Sequence, residues 1–171
     1  AELREVEGKG LGVVAVEAMA AGEQVLAEPP LLLFDVAALD SRSGAALLGL
    51  RSTGRPPGGM EAQLRRRLDE ECSEEQRAAF WELCDSFTPA VKSAAGIFLS
   101  NSFDLGAGSS CGVFAAASRF NHSCVPSVVR TWQDSGCMVF RTSRPVPAGE
   151  ELTITYCALD EPAAERQAAV S

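Results

Sequence analysis

A short polar run, Asn-His-Ser-Cys at residues 121–124, constrains the fold of this chain more than any other segment. It places an amide, the single histidine of the chain, a hydroxyl and a thiol between two largely apolar stretches, Phe114–Ala117 and Val125–Val129. Burying such a run is costly unless each polar group meets a specific partner. The sequence therefore predicts that distant parts of the chain supply defined contacts to these four residues.

A second segment ends in the single tyrosine of the chain. From Gly149 to Tyr156 it reads Gly-Glu-Glu-Leu-Thr-Ile-Thr-Tyr. Leu152, Ile154 and Tyr156 alternate with threonines, which predicts a short strand that carries a phenol at its end. A tyrosine in that position is often an amphipathic residue at the edge of a core, so a structural interpretation stands beside a catalytic one.

The distribution of patterns along the 171 residues predicts one α+β domain that is mainly β with a helical insert. The start and the finish are rich in strand patterns and glycine turns, whereas the middle has helical spacing. We expect four sections, namely N-terminal strands at 1–34, the helical insert at 35–95, a C-terminal core at 96–157 and the start of a linking helix at 158–171.

Individual elements follow from the same patterns. Helices are predicted at Met60–Leu68, Ser73–Cys84 and Ala90–Phe103, and strands at Leu11–Val16, Gln24–Glu28, Val113–Ala117, Ser127–Thr131, Met138–Arg141 and Glu151–Tyr156. Ser73 is followed three residues later by Gln76, which predicts a capping box at the start of the second helix.

Charge and composition exclude some classes of partner. The net charge of −8 argues against direct binding to nucleic acid. No apolar run approaches the roughly 20 residues that cross a bilayer, so we expect no membrane partner. The start of the chain has no apolar signal region, and the cysteines are therefore interpreted as reduced and intracellular. We expect a monomer in the nucleus, the cytoplasm or both.

Three segments together resemble the SET-domain protein-lysine methyltransferases, most closely the branch of MYND-associated SET proteins. They are Gly10-Leu11-Gly12, the Asn-His-Ser-Cys run and the segment that ends at Tyr156. The resemblance implies a fold of small sheets with a pseudoknot-like chain crossing. It also implies methyl transfer from S-adenosylmethionine to the ε-amine of a lysine in a protein substrate, either a histone or a non-histone protein. The MYND finger is missing, because no Cys/His cluster lies between Phe34 and Asn101.

The resemblance also implies which residues bind the cofactor. They are Lys9, Gly10, Leu11, Gly12, Asn101, Asn121, His122 and Tyr156. Close relatives often carry Arg-Gly-Asn-Gly in the loop, so Leu11 replaces a polar residue and only main-chain contact is expected there. A Gly-x-Gly pair is more often a plain turn, and an Asn after a helix is as often a terminal cap. Both structural interpretations stay open for Gly10–Gly12 and for Asn101.

The resemblance matches Tyr156 to the catalytic residue of the family. A lysine amine has a pKa of about 10.4, so it must lose a proton before its lone pair can attack a methyl group. Removal from water lowers that pKa, and an aligned hydroxyl can hold the neutral amine in line. The phenol of Tyr156 is predicted to do this.

We expect no metal in this chain. In relatives with a post-SET segment, the cysteine that matches Cys124 binds zinc together with three downstream cysteines. A structural zinc site needs four ligands, and only Cys137 and Cys157 follow here, without a C-x-C-x-x-C pattern. We therefore expect that the chain stops before such a segment, and Cys124 would be a zinc ligand only if the segment were present.

Two other functions compete with methyl transfer. A SET-like module that binds cofactor or peptide with little or no catalysis, as a fragment of a longer protein, remains the main alternative. A hydrolase with Cys124 as nucleophile and His122 as base is disfavoured, because such groups usually converge from separate elements.

Overall fold

The computed structural model describes residues 1–35, 59–87, 91–106 and 110–156. The chain divides into two compact units. The first combines Ala1–Glu28 with Arg119–Ser171, and the second is Pro29–Ser118. The predicted division at residues 34, 95 and 157 stays a prediction, and the predicted linking helix at 158–171 lies outside the described residues.

The elements follow one another in an order that places strands at both ends and helices in the middle. In chain order they are β1 (Glu2–Val6), β2 (Gly10–Val14), β3 (Gln24–Glu28), β4 (Leu32–Asp35), α1 (Met60–Glu71), α2 (Glu74–Glu82), α3 (Ala94–Asn101), β5 (Ser102–Asp104), β6 (Ser110–Val113), a 3-10 turn (Ala117–Arg119), β7 (Asn121–His122), β8 (Val128–Trp132), β9 (Met138–Thr142) and β10 (Glu151–Ile154). The predicted fold of small sheets with a few helices is confirmed.

The first unit is built on two sheets, with the strand orders β1-β2-β10-β7 and β3-β9-β8. In the first of these sheets, β10 lies between β2 from the first segment of the unit and β7 from its second segment. It pairs antiparallel with β2 through Glu151↔Val14 and parallel with β7 through Thr153↔Asn121. This arrangement sets the polar run of residues 121–124 beside the strand that leads to Tyr156.

The core of the first unit is formed by apolar residues of its strands. Leu152 and Ile154 of β10 are buried, as are Val13 and Val14 of β2. Phe120 and Phe140 stack with their ring centroids 5.1 Å apart. Aromatic pairs in this arrangement add stability beyond their buried area, so Phe120 fixes the backbone immediately before the polar run.

The second unit contains the sheet β4-β6-β5 and the three helices. Its core joins the inward faces of β4 and α1 to α3, and Phe34 meets Phe98 edge to face at 5.3 Å. On α1 the buried residues are Met60, Leu64 and Leu68, at the spacing of one helical face. Among the described helices, none combines the length and the apolar character that crossing a bilayer requires.

The capping box predicted for α2 is present. The Ser73 hydroxyl accepts from the Gln76 amide at 3.2 Å, and the Gln76 side chain accepts from the Ser73 amide at 2.9 Å. These bonds satisfy two donors that would otherwise face solvent at the start of the helix.

Ser73→Ala is expected to lower the free energy of unfolding by about 1 kcal/mol, because one N-terminal amide loses its partner. Chemical denaturation followed by circular dichroism measures this change. Ser135→Ala, in an exposed turn, is the control and should change stability by much less. Equal effects of the two substitutions would contradict the role of the cap.

Several element boundaries differ from the predictions, two of them in the second unit for identifiable reasons. The predicted helix Ala90–Phe103 is shorter, because Ser93 caps α3 through the Gly96 amide at 2.9 Å and Ser102–Asp104 pairs with β6 instead. The predicted strand Val113–Ala117 is wrong. The strand is Ser110–Val113, since the pairing of β6 with both of its neighbours ends at Val113.

Candidate functional site

The first element of the site is the hairpin turn between β1 and β2. Lys9 donates its amide to the Val6 carbonyl at 3.0 Å, and Gly8 and Gly10 both have φ of +74°. Glycine adopts this left-handed conformation without the strain of a side chain. Gly10 and Leu11 follow on the surface, with 49% of Leu11 exposed. The turn interpretation of the Gly-x-Gly pair therefore has a physical basis at Gly10.

Gly12 serves a different purpose, because two polar side chains occupy the space beside its Cα. A Cβ at this position would lie 2.8 Å from Asn121 Nδ2 and 2.9 Å from Glu151 Oε1. It would also lie 2.8 Å from a methyl group of Val6. Such separations are too short for real contacts, so only glycine lets these side chains approach β2.

Asn121 and Glu151 form a polar network with Lys9 over that glycine. Asn121 Nδ2 donates to Glu151 Oε1 at 2.8 Å and to the Leu11 carbonyl at 3.3 Å. Glu151 Oε2 accepts from Lys9 Nζ at 2.7 Å. Roles in cofactor binding were predicted for Lys9, Leu11 and Asn121 but not for Glu151. The one indication in the sequence is that Glu151 is the first residue of the strand predicted to lead to Tyr156.

His122 connects the polar run to the end of β10. Its Nδ1 accepts from the Tyr156 amide at 3.1 Å, and its Nε2 lies 3.4 Å from Cys124 Sγ. Because Nδ1 accepts, the neutral ring carries its proton on Nε2 and presents a donor to the sulfur. A general base needs an unprotonated nitrogen there. The structure thus brings Cys124 and His122 together, yet in the wrong tautomer for a hydrolase.

Tyr156 follows β10 after a break in the strand. The predicted strand Glu151–Tyr156 ends at Ile154, whose carbonyl accepts from the Ser123 amide at 2.9 Å. The Tyr156 hydroxyl donates to the Phe120 carbonyl at 2.6 Å, and its ring centroid lies 5.4 Å from that of His122. Tyr156 remains 45% exposed. The phenol is therefore held at the base of the polar run with part of its surface open.

Asn101 lies in the second unit, as the last residue of α3. It is 8% exposed, and its Nδ2 donates to the carbonyls of Cys84 and Ile97, each at 2.7 Å. Both amide protons are therefore committed to backbone carbonyls of the second unit. The structure brings Lys9–Gly12, Asn121, His122 and Tyr156 into the first unit, and it describes Asn101 within the second.

Cys124 is exposed and contacts the imidazole of His122. Within the described ranges, no group of three or more histidine, cysteine or acidic side chains could hold a metal ion. Cys157 lies outside those ranges. The expectation that this chain binds no zinc stays a prediction.

Comparison with known proteins identifies the family. Residues 10–157 match the model of the SET domain. The histone-lysine N-methyltransferase set5 of Schizosaccharomyces pombe is 28% identical over 95% of this chain and 43% of its own length. A SET and MYND domain-containing protein of Dictyostelium discoideum is 38% identical over 32% of this chain and 14% of its own length.

The chain thus spans less than half the length of these curated relatives. The chain also matches the crystal structure of a candidate histone methyltransferase from Plasmodium falciparum. The match covers 91% of each chain, with 11% sequence identity and a TM-score of 0.47. The match to the MYND-associated branch is partial, and closeness to that branch stays a prediction. The SET model itself covers most of the sequence, and the chain belongs to the SET domain family.

Proposed function

We propose that this chain transfers a methyl group from S-adenosylmethionine to the ε-amine of a lysine in a protein substrate. Membership of the SET family supports the class of reaction. The observation that carries the proposal is the position of Tyr156, whose hydroxyl contacts the backbone carbonyl immediately before Asn121 and His122. A phenol and an imidazole thus lie side by side, next to the segment that also carries the Asn121 amide.

The side chains present fit the amino-acid end of the methyl donor. Lys9 offers a cation to a carboxylate and Asn121 offers an amide, and both residues contact Glu151. Gly10 and Leu11 are exposed residues, and we propose that they contact the cofactor through their main chain, so that position 11 needs no polar side chain. When bound, S-adenosylmethionine supplies a methyl group made electrophilic by its sulfonium. We also propose that Asn101 binds the cofactor.

In this proposal Tyr156 orients the substrate lysine. Its hydroxyl proton points to the Phe120 carbonyl, which turns the acceptor side of the oxygen away from that carbonyl. The oxygen then accepts an N–H from the neutral amine and leaves the nitrogen lone pair directed at the methyl group. Desolvation in the bound state favours the neutral amine, and alignment supplies much of the rate increase.

The proposed substrate is a lysine-bearing segment of a histone or another protein. One relative is named a histone-lysine N-methyltransferase, which supports the histone alternative. The net charge of −8 is compatible with a basic peptide. We also propose that the chain acts as a monomer in the nucleus, the cytoplasm or both.

Calorimetry with S-adenosylmethionine, followed by transfer of an isotope-labelled methyl group to lysines in a cell lysate, tests this function. We expect saturable binding and label on lysine in at least one protein. Binding without transfer would instead support the alternative of a binding module with little catalysis. The absence of binding would contradict both functions.

A further inference from the structure

Glu151 lies between two of the proposed cofactor-binding residues and contacts both. Its Oε2 accepts from Lys9 and its Oε1 accepts from Asn121, at 2.7 Å and 2.8 Å. We propose that Glu151 is a positioning residue, which fixes Lys9 and Asn121 in the arrangement that receives the methyl donor. This inference rests on the proposed function, because it assigns a role within the same site.

The fold places the Glu151 carboxylate with little freedom. Glu151 pairs with Val14 at the start of β10. Its Oε1 lies so close to the Cα of Gly12 that a Cβ added to Gly12 would be 2.9 Å from this oxygen. The side chain is 17% exposed, against 44% for Lys9. A carboxylate this shielded is costly to leave unpaired, and its ion pair is screened less by salt than a pair in open solvent.

The consequence for Lys9 is a loss of conformational freedom before the ligand arrives. Lysine has a long, flexible side chain, and ordering it costs free energy. The bond to Glu151 incurs that cost in the folded protein rather than on binding. Because the ammonium group is already ordered, ligand binding costs less side-chain entropy of the protein, and the ligand binds more tightly.

For Asn121 the consequence is a fixed orientation of the amide. Its nitrogen faces two acceptors, Glu151 Oε1 and the Leu11 carbonyl. A flipped amide would set its oxygen against both of those acceptors, so the flip is disfavoured. One carboxylate therefore determines the position of a cation and the direction of an amide dipole.

A double-mutant cycle on Lys9 and Glu151 tests the inference. Glu151→Gln replaces one acceptor oxygen with an amide nitrogen that only donates and so faces a donor of Lys9 or Asn121, and it should weaken binding of S-adenosylmethionine about tenfold. Lys9→Met should weaken it at least as much. The double variant, which leaves neither charge unpaired, should bind within about twofold of the weaker single variant, because the two residues act as one unit.

Calorimetry on the full chain measures these dissociation constants, with Glu2→Gln as the matched control. Glu2 pairs with Arg4 on β1 of the same sheet, where both side chains are exposed, so its loss should leave binding unchanged. Methyl transfer at saturating cofactor should stay within about twofold in Glu151→Gln. In the cofactor-free chain, the Asn121 side-chain amide signal in nitrogen-15 NMR should shift in Glu151→Gln and not in Glu2→Gln.

Some outcomes would overturn the positioning role. Effects of Glu151→Gln and Lys9→Met that multiply in the double variant would show independent residues. If the wild-type chain binds S-adenosylmethionine and Glu151→Gln binds it with the same dissociation constant, this inference is overturned and the proposed function still stands. A wild-type chain that binds no S-adenosylmethionine would overturn both.

Discussion

Tyr156→Phe is expected to reduce the rate of methyl transfer by about 10²- to 10³-fold while changing the affinity for S-adenosylmethionine by no more than about threefold. The substitution keeps the ring that packs 5.4 Å from His122 and removes only the hydroxyl. The hydroxyl is the group that we propose to align the lysine amine, so its loss should act on the chemical step rather than on cofactor binding.

Initial rates with a labelled methyl donor, together with calorimetry, measure the two effects separately. Ser143→Ala is the matched control. Ser143 Oγ donates to the Pro126 carbonyl at 3.0 Å in the same unit, so the control also loses one bond from a hydroxyl to a backbone carbonyl. It should retain full activity. A Tyr156→Phe variant with more than about a third of the wild-type rate would contradict the catalytic assignment.

Gly12→Ala is expected to weaken cofactor binding by at least about tenfold and to lower the free energy of unfolding by about 1–3 kcal/mol. The added Cβ would meet Asn121 Nδ2 and Glu151 Oε1 at less than 3.0 Å. Either the polar network moves or β2 shifts away from β10. In both cases the residues proposed to bind the methyl donor lose their arrangement.

Gly136→Ala separates this effect from a general loss of stability. Gly136 has φ of +81° and no atom within 4 Å of its added Cβ, so an alanine there is strained without a steric clash. We expect a cost of about 1 kcal/mol and unchanged cofactor binding. Calorimetry and thermal unfolding of both variants provide the comparison. Similar losses of affinity in the two would contradict the local role of Gly12.

Much of the fold follows from local sequence rules. The capping box at Ser73 and Gln76 is satisfied by residues three apart, and that contact can be inferred from the sequence alone. The end of β6 could not be inferred in this way. Phe114–Ala117 continues the apolar pattern, but the pairing of β6 with β4 and β5 ends at Val113. The limits of a strand depend on neighbours that are distant in the sequence.

The candidate site shows the same division between local and distant information. Gly10, Asn121, His122 and Tyr156 could be predicted because they lie in segments that resemble those of SET proteins. Glu151 was missed, because its partner Lys9 lies 142 positions away and only the pairing of β2 with β10 brings them together. The Phe120 carbonyl was missed as well, since a backbone acceptor leaves no mark in the sequence.

The most direct test of the central claim is an NMR titration of the nitrogen-15-labelled chain with S-adenosylmethionine. The claim is that a glycine turn, an amide, an imidazole and a single phenol form one binding site. We expect saturable shifts of the backbone amides of Gly10, Gly12, Asn121, His122 and Tyr156, with one dissociation constant. Saturable shifts confined to residues outside β2, β7 and the end of β10 would contradict the claim.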